Sequence, residues 1–413
     1  MAQAQKPGGQ QGPPEEVIQK AVKGQVNTFI LILILILAVS LLIFTSKFFR
    51  VYITLTRMDI YNSSEIDLKS IIKNDGSDKN NKLRDYFIAS AYRPYVCYYH
   101  KYDYVSVEVF KEVLKAGPRM IELEIFNSDF GDKVEPVVSI GTEDGEWTYT
   151  LNSVNVKEFL KAIASTVFNP LKVKGVSKDP FILFLNLKTN RNVKCLNKLH
   201  RYLHEILGQY LLGTKYAYNG KSNDSINDIT LEEAKNKIII FATTGFEDTD
   251  LEELINYSTA CNYTLKYRKD QHRILYLNQT DIVENSEDIE DYVNESTLKL
   301  ALPDVQEYNK YGFSILSPER GTDSLFDGIS PYNPDPGMGL DAGCNFIMMN
   351  YQKIDTNMSN YMYIFKEGSF IKKKSDLSDT NNNNPKIFEA IKKTEIKLNQ
   401  NEINYLYVRT NKQ

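Results

Sequence analysis

Apolar residues recur along this chain in three patterns. The first is an unbroken run, "FILILILILAVSLLIFT", from Phe29 to Thr45. Extended to residues 26–46, it reaches the ~20 apolar residues a helix needs to cross a bilayer. A cleaved signal peptide would need a shorter apolar core and a small-residue cleavage site, and "TSKFFRVYI" offers none. The run therefore predicts one retained transmembrane helix, with the membrane as its partner. Lys20 and Lys23 flank one side of it, and Lys47, Arg50 and Arg57 the other. Positive charge is thus in slight excess beside the bulk of the chain, which favours the cytosolic side for that bulk.

The second pattern is a set of short apolar runs with the look of buried strands: residues 86–92, 120–126, 135–141, 181–188, 237–244, 312–318 and 344–352. The third is apolar spacing at helical period between them. "VEVFKEVLKAG" ends on Gly117, as a C-terminal cap would require. "NSVNVKEFLKAIASTVF", with Asn152 and Ser153 as capping candidates, and "CLNKLHRYLHEILGQYLL" follow. Strands alternating with helices imply a parallel sheet, and this number of units predicts an α/β fold, a TIM-like (β/α)8 barrel preceded by one transmembrane helix. Residues 1–25 are rich in Pro, Gly and Gln and are expected to be disordered. Residues 47–82 read as a juxtamembrane segment and linker, turn-rich at "KNDGSDKNNK". Residues 260–307, with "DIVENSEDIEDYVNES", read as an acidic linker or insertion, and residues 375–413 as an Asn-rich C-terminal extension.

Charge and cysteine usage narrow the function. A net charge of -4 argues against a nucleic-acid partner, which would call for a basic face. Cys97, Cys195, Cys261 and Cys344 form no CxxC pair, so structural zinc is not expected; they read as reduced core thiols. His200 and His204 share a helix face at i,i+4, but no third ligand accompanies them and a surface pair is expected. Sequons such as Asn256-Tyr-Ser and Asn262-Tyr-Thr are of the kind an Asn-rich chain produces by chance. The richness in Tyr, Asn, Lys and Ile, with a single Trp, points to AT-rich coding, as in a protist or a large DNA virus.

Specific words refine the barrel. "LRDYFIASAYRPYV", "RMIELEIF", "EPVVSIG" and "NVKEFLKAIASTVF…DPFILFLNL" resemble, in order and spacing, the X half of eukaryotic phosphoinositide-specific phospholipase C. "LEELINYST" resembles the opening of its Y half, and "NKYGFSILSPERGTDS…SPYNPDP…GCNFIMMNYQ" the remainder. The resemblance implies an X-like half at residues 83–259 and a Y-like half at 308–374. It also implies a chemistry this chain is ill equipped to perform. The family cleaves a phosphoinositide with two histidines and a calcium ion, and the histidine positions fall on Tyr92 and Ile140. Tyrosine, near pKa ~10, is a poor proton shuttle at neutral pH, and isoleucine is none. His100, His200, His204 and His272 fall outside both positions. The calcium ligands align with Arg93, Glu122, Glu124 and Asn186, and a guanidinium supplies no oxygen. The phosphate-binding lysines align with Phe241 and Thr243, and a substrate-gripping arginine with Asp323. Tyr332 aligns with a tyrosine that stacks on the substrate. No calcium or other cofactor is expected. The resemblance so edited implies an inactive barrel with a structural or tethering role and protein partners in a larger assembly, such as one linking a membrane to a capsid in a large DNA virus. Two alternatives stand beside it: a phosphodiesterase with a rebuilt site acting on a phosphoinositide or glycerophosphodiester, and a module that binds a lipid headgroup without cutting it. Glu122 and Glu124 alternate on one strand and so share a face. Arg93 is expected to pair with one of them in place of the metal.

Overall fold

The computed structural model describes residues 15–62, 67–73, 76–77, 79–130, 133–173, 175–218, 226–259, 272–284, 299–319, 321 and 328–373 of the 413-residue chain. Cys261, Asp323 and the C-terminal extension lie outside them. The chain divides into two units, residues 1–52 and 53–413.

Eight strands form a closed parallel barrel: β1 (Tyr86–Ala91), β2 (Met120–Phe130), β3 (Phe181–Lys188), β4 (Ile238–Ala242), β5 (Tyr257–Thr259), β6 (Arg273–Asn278), β7 (Phe313–Ser317) and β8 (Phe346–Met349). Each pairs in parallel with the next, and β8 pairs in parallel with β1 to close the ring. The interior is packed rather than hollow. Phe241, Tyr257, Phe313 and Phe346 meet there, with ring centroids of Phe241 and Tyr257 4.9 Å apart and those of Phe313 and Phe346 5.9 Å apart. Burial on this scale, roughly 25 cal/mol per Å² of apolar surface, is what drives the ring shut.

Helices α1 (Glu15–Met58), α2 (Val107–Lys115), α3 (Val156–Thr166) and α4 (Val193–Leu207) follow the periodicity of the sequence. The side chains of Ser106, Asn155 and Asn192 accept hydrogen bonds from backbone N–H groups of the first turn of α2, α3 and α4. The cap of α3 is thus Asn155 rather than Asn152 or Ser153. Gly117 ends α2 at φ +99, a backbone conformation that side chains disfavour.

Four boundaries differ from the sequence reading. The run at 135–141 is a strand, Lys133–Val138, but it lies antiparallel to the far end of β2 and outside the ring. Residues 260–307, expected as a linker, supply β6 and lead into a helix at Leu302–Tyr308, and the short β5 ends just before them; β5 and β6 complete the ring. At the other end, the described helix begins at Glu15, inside the stretch expected to be disordered, and runs on to Met58, well past residue 46. In the second unit its end is docked: Thr54, Met58 and Tyr61 are buried, and the Tyr61 hydroxyl donates to the Tyr351 carbonyl at 2.7 Å. Residues 67–73 are also held. Ser70 Oγ donates to Asp179, the Ile71 N–H donates to the same carboxylate at 3.1 Å, and Lys69 N donates to the Glu367 carbonyl at 2.8 Å. Polar composition predicts a linker here, yet its side chains and N–H groups find partners on the barrel.

Candidate functional site

In a barrel of this kind the strands' C-terminal ends carry the site. β1 ends at Ala91 and delivers Tyr92 and Arg93 to that mouth, while β2 runs beyond it and presents Glu122 and Glu124 on one face. Asn186 of β3 is the register partner of Glu124. All five side chains are buried.

Arg93 is the centre of the arrangement. Its Nη2 and Nε donate to Glu124 Oε1 at 2.6 and 2.9 Å, with the guanidinium 3% exposed and the carboxylate 0%. Burial alone would draw the guanidinium's pKa down. Glu124, then Tyr92 and Glu122, outweigh it and hold the group far above its ordinary value. Glu122 has a separate donor, Asn186 Nδ2 at 2.8 Å. Arg93 itself sits at φ +43, a region that costs a non-glycine residue about 1 kcal/mol or more. Its carbonyl is held there by Gln352 Nε2 at 3.1 Å, which also donates to the Val96 carbonyl at 3.0 Å.

Sequence reasoning left His100 out of the site, and the structure puts it in. His100 Nδ1 lies 3.3 Å from Arg93 Nη1, and Nε2 lies 3.1 Å from Asn350 Nδ2. Its ring stands 5.5 Å from that of Tyr92, which in turn lies under the Arg93 guanidinium at 4.8 Å. Arg93 Nη1 can only donate, so it favours Nδ1 as the acceptor; Asn350 Nδ2 is likewise a donor and faces the other ring nitrogen. His100 is 0% exposed. No local motif marks it. The loop from 92 to 106 folds back through bonds that only the folded loop makes: Asp103 receives the N–H groups of Tyr98 and Tyr99, and His100 N donates to the Ile329 carbonyl.

The other expected positions fall as follows. Ile140 is buried, and its backbone carbonyl accepts from Tyr149 N at 2.6 Å. Phe241 is in the barrel core, and Thr243 Oγ1 accepts from Leu187 N at 2.7 Å. Tyr332 is 79% exposed with Lys353 Nζ over its ring at 3.7 Å. Tyr95 closes the floor: its hydroxyl donates to the Ser139 carbonyl at 3.0 Å and accepts from Glu124 N at 3.3 Å, and burial pushes its pKa well up. Burial, and then Glu122, do the same to Tyr276. His200 pairs with Glu253 at 2.6 Å, its ring centroid 6.3 Å from that of His204.

Calcium takes six to eight oxygens. Here a guanidinium sits on Glu124 and an amide N–H₂ on Glu122, so the residues present do not fit such an ion. Among the described residues no group of three His, Cys, Asp or Glu side chains could hold a metal.

Residues 79–244 match the family model of the phosphatidylinositol-specific phospholipase C X domain. The chain is 30% identical over 135 residues to 1-phosphatidylinositol 4,5-bisphosphate phosphodiesterase classes I and II of Drosophila melanogaster, a match covering 33% of this chain and 9% of that protein. Its fold is similar to the crystal structures of PLC21 from S. officinalis (TM-score 0.55, 19% identity) and from L. pealei (TM-score 0.54, 20% identity). Each match covers 74% of this chain and 39% of the structure's.

Proposed function

Because the chain carries a barrel of the phosphatidylinositol-specific phospholipase C type, we propose that it is a membrane-anchored relative of those enzymes that has given up catalysis and serves as a tether. One observation carries the reading: the Arg93–Glu124 ion pair, fully buried at the mouth where the family's metal would sit. Tyr92 and Ile140 at the proton-transfer positions support it. The test is hydrolysis of phosphatidylinositol 4,5-bisphosphate by the full chain in lipid nanodiscs, with calcium. Release of inositol phosphate no greater than from the heat-killed chain is expected; release above it would end the proposal.

His100 favours one alternative, a rebuilt phosphodiesterase site, since it is a histidine among former site residues. Its ring nitrogens lie against Arg93 and Asn350 and it has no exposure, so it is poorly placed to reach a substrate proton. A headgroup-binding module is weaker still, with Phe241 and Thr243 where phosphate-binding lysines would stand.

The anchor is the apolar stretch of α1, long and apolar enough to cross a membrane, with a mean hydropathy of 3.0. We place the barrel on the cytosolic side, and Asn256 supports this. It begins a sequon, Asn256-Tyr-Ser, yet is 3% exposed. Its Nδ2, the atom a glycan would take, donates to the Tyr216 carbonyl at 3.1 Å, and its Oδ1 accepts from Ile240 N at 2.8 Å. A glycan there would break the join between β4 and β5. Cys97, Cys195 and Cys344 are buried thiols outside any disulfide, as a reducing compartment allows. The more specific setting, a link between a membrane and a shell in a large DNA virus, rests on composition, and the proteins that co-purify with the full chain would identify it.

A further inference from the structure

The guanidinium of Arg93 sits where Glu122 and Glu124 would otherwise be two adjacent buried carboxylates, 0% exposed, without its cation. Two such charges in a dry site demand a cation. The chain supplies one from its own side chain, within 2.6 Å of Glu124. That cation is held from three directions: Glu124 on β2, His100 Nδ1 at 3.3 Å from the returning loop, and the Tyr92 ring at 4.8 Å. Around it stand oxygens the protein leaves unused. Asn186 Oδ1 is buried without a hydrogen-bond partner, beside the two glutamates, and Gln352 Oε1 is likewise unpartnered where Gln352 grips the Arg93 carbonyl.

We infer that Arg93 is a covalently attached counter-ion that replaces a divalent cation, so that the barrel's charge balance needs no metal, and that removing the guanidinium uncovers a cation site made by Glu122, Glu124 and Asn186. This deepens the inactive reading and rests on its view of the site. It is tested by cation binding rather than hydrolysis, so an active enzyme with the Arg93 counter-ion, or an inert one without it, would be told apart.

Arg93→Asn is the informative substitution, because asparagine tolerates the positive φ at this position and brings an oxygen in place of a cation. Thermal unfolding of the full chain in detergent is compared in excess EDTA and in millimolar calcium. Terbium, excited through Tyr92 and Tyr95, reports direct occupancy. The natural chain is expected to show the same Tm in both buffers and no terbium luminescence. Arg93→Asn is expected to be destabilised in EDTA, to recover by about 5 °C or more as calcium saturates it, and to light up with terbium. Arg93→Lys, which keeps a cation on the chain, should stay insensitive to calcium. A calcium-dependent Tm in the natural chain overturns the proposal, as does a folded Arg93→Asn that ignores both ions. If Arg93→Asn folds only with calcium present, the proposal stands. If it folds in neither buffer while Arg93→Asn/Glu124→Gln does fold, the uncompensated carboxylate pair was fatal and no ion could relieve it, which also overturns the site.

Discussion

At Arg93 a strained backbone, a buried charge and three partners are concentrated in one residue. A buried pair is weak evidence of net stabilisation, since desolvation opposes the attraction, but losing one partner leaves the other charge uncompensated. Glu124→Ala is therefore expected to cost on the order of 3–5 kcal/mol in urea unfolding, because it orphans the guanidinium. A loss under about 1 kcal/mol would show the pair to be solvated in solution. Asp179 gives a second prediction. Burial lifts its pKa to about 6, despite the opposing pull of Arg119 and the bond from Ser70. A carboxyl whose folded pKa exceeds its unfolded value stabilises the fold while protonated. That contribution is complete below about pH 4 and is lost as pH rises through about 6, with an upper bound on the order of 3 kcal/mol. Asp179→Asn mimics the protonated form and still accepts from Ile71 N. The stability of the variant relative to the natural chain should rise between pH 4 and 7, and a pH-independent difference would refute the assignment.

At the scale of elements, the end of α1 belongs to the barrel. Met58 and Tyr61 bury apolar surface there, Tyr61 adds a hydrogen bond to Tyr351, and Arg57 lies over the Tyr98 ring at 4.7 Å. Each buried side chain of this size contributes roughly 1.5–3 kcal/mol. A chain starting at residue 47, which removes the apolar run but keeps this segment, is expected to be soluble and folded. One starting at residue 63 should lose on the order of 3 kcal/mol or more, read as a lower urea midpoint at unchanged slope. Equal midpoints would mean that the docked segment contributes nothing. The strap at residues 67–73, pinned by Asp179, keeps the same connection from behaving as a free tether.

At the scale of the whole molecule, a barrel on the cytosolic side would be out of reach of glycosylation and open to outside protease. The full chain expressed in cells with a glycosylating secretory pathway should show no change in mobility on endoglycosidase treatment, and the barrel should be digested when protease is added outside sealed microsomes. A deglycosylation shift would put the barrel in the lumen and refute the cytosolic placement. The chain spans 39% of the length of the solved structures it matches, so what those larger proteins do as wholes passes to this one only as a proposal.

Three features were legible from the amino-acid order alone: the apolar helix, the alternation that makes a parallel barrel, and the family words in residues 83–259 and 308–374. Each depends on residues near one another in the chain, where periodicity and spacing act directly. The ion pair of Arg93 with a glutamate was also within reach, because β1 and β2 are neighbours and their faces follow from the period of two. What lay beyond the sequence was contact between distant segments. β6 is short and half-buried within an otherwise polar, acidic region, so only its two neighbours in the ring make it a strand. The run at 135–141 is as apolar as a barrel strand, and the long reach of β2 past the mouth turned it outward. His100 entered the site through a loop closed by Asp103 and Gln352, and no periodicity encodes such closure. Local order is set by neighbours in sequence; the site is set by which ends the barrel brings together.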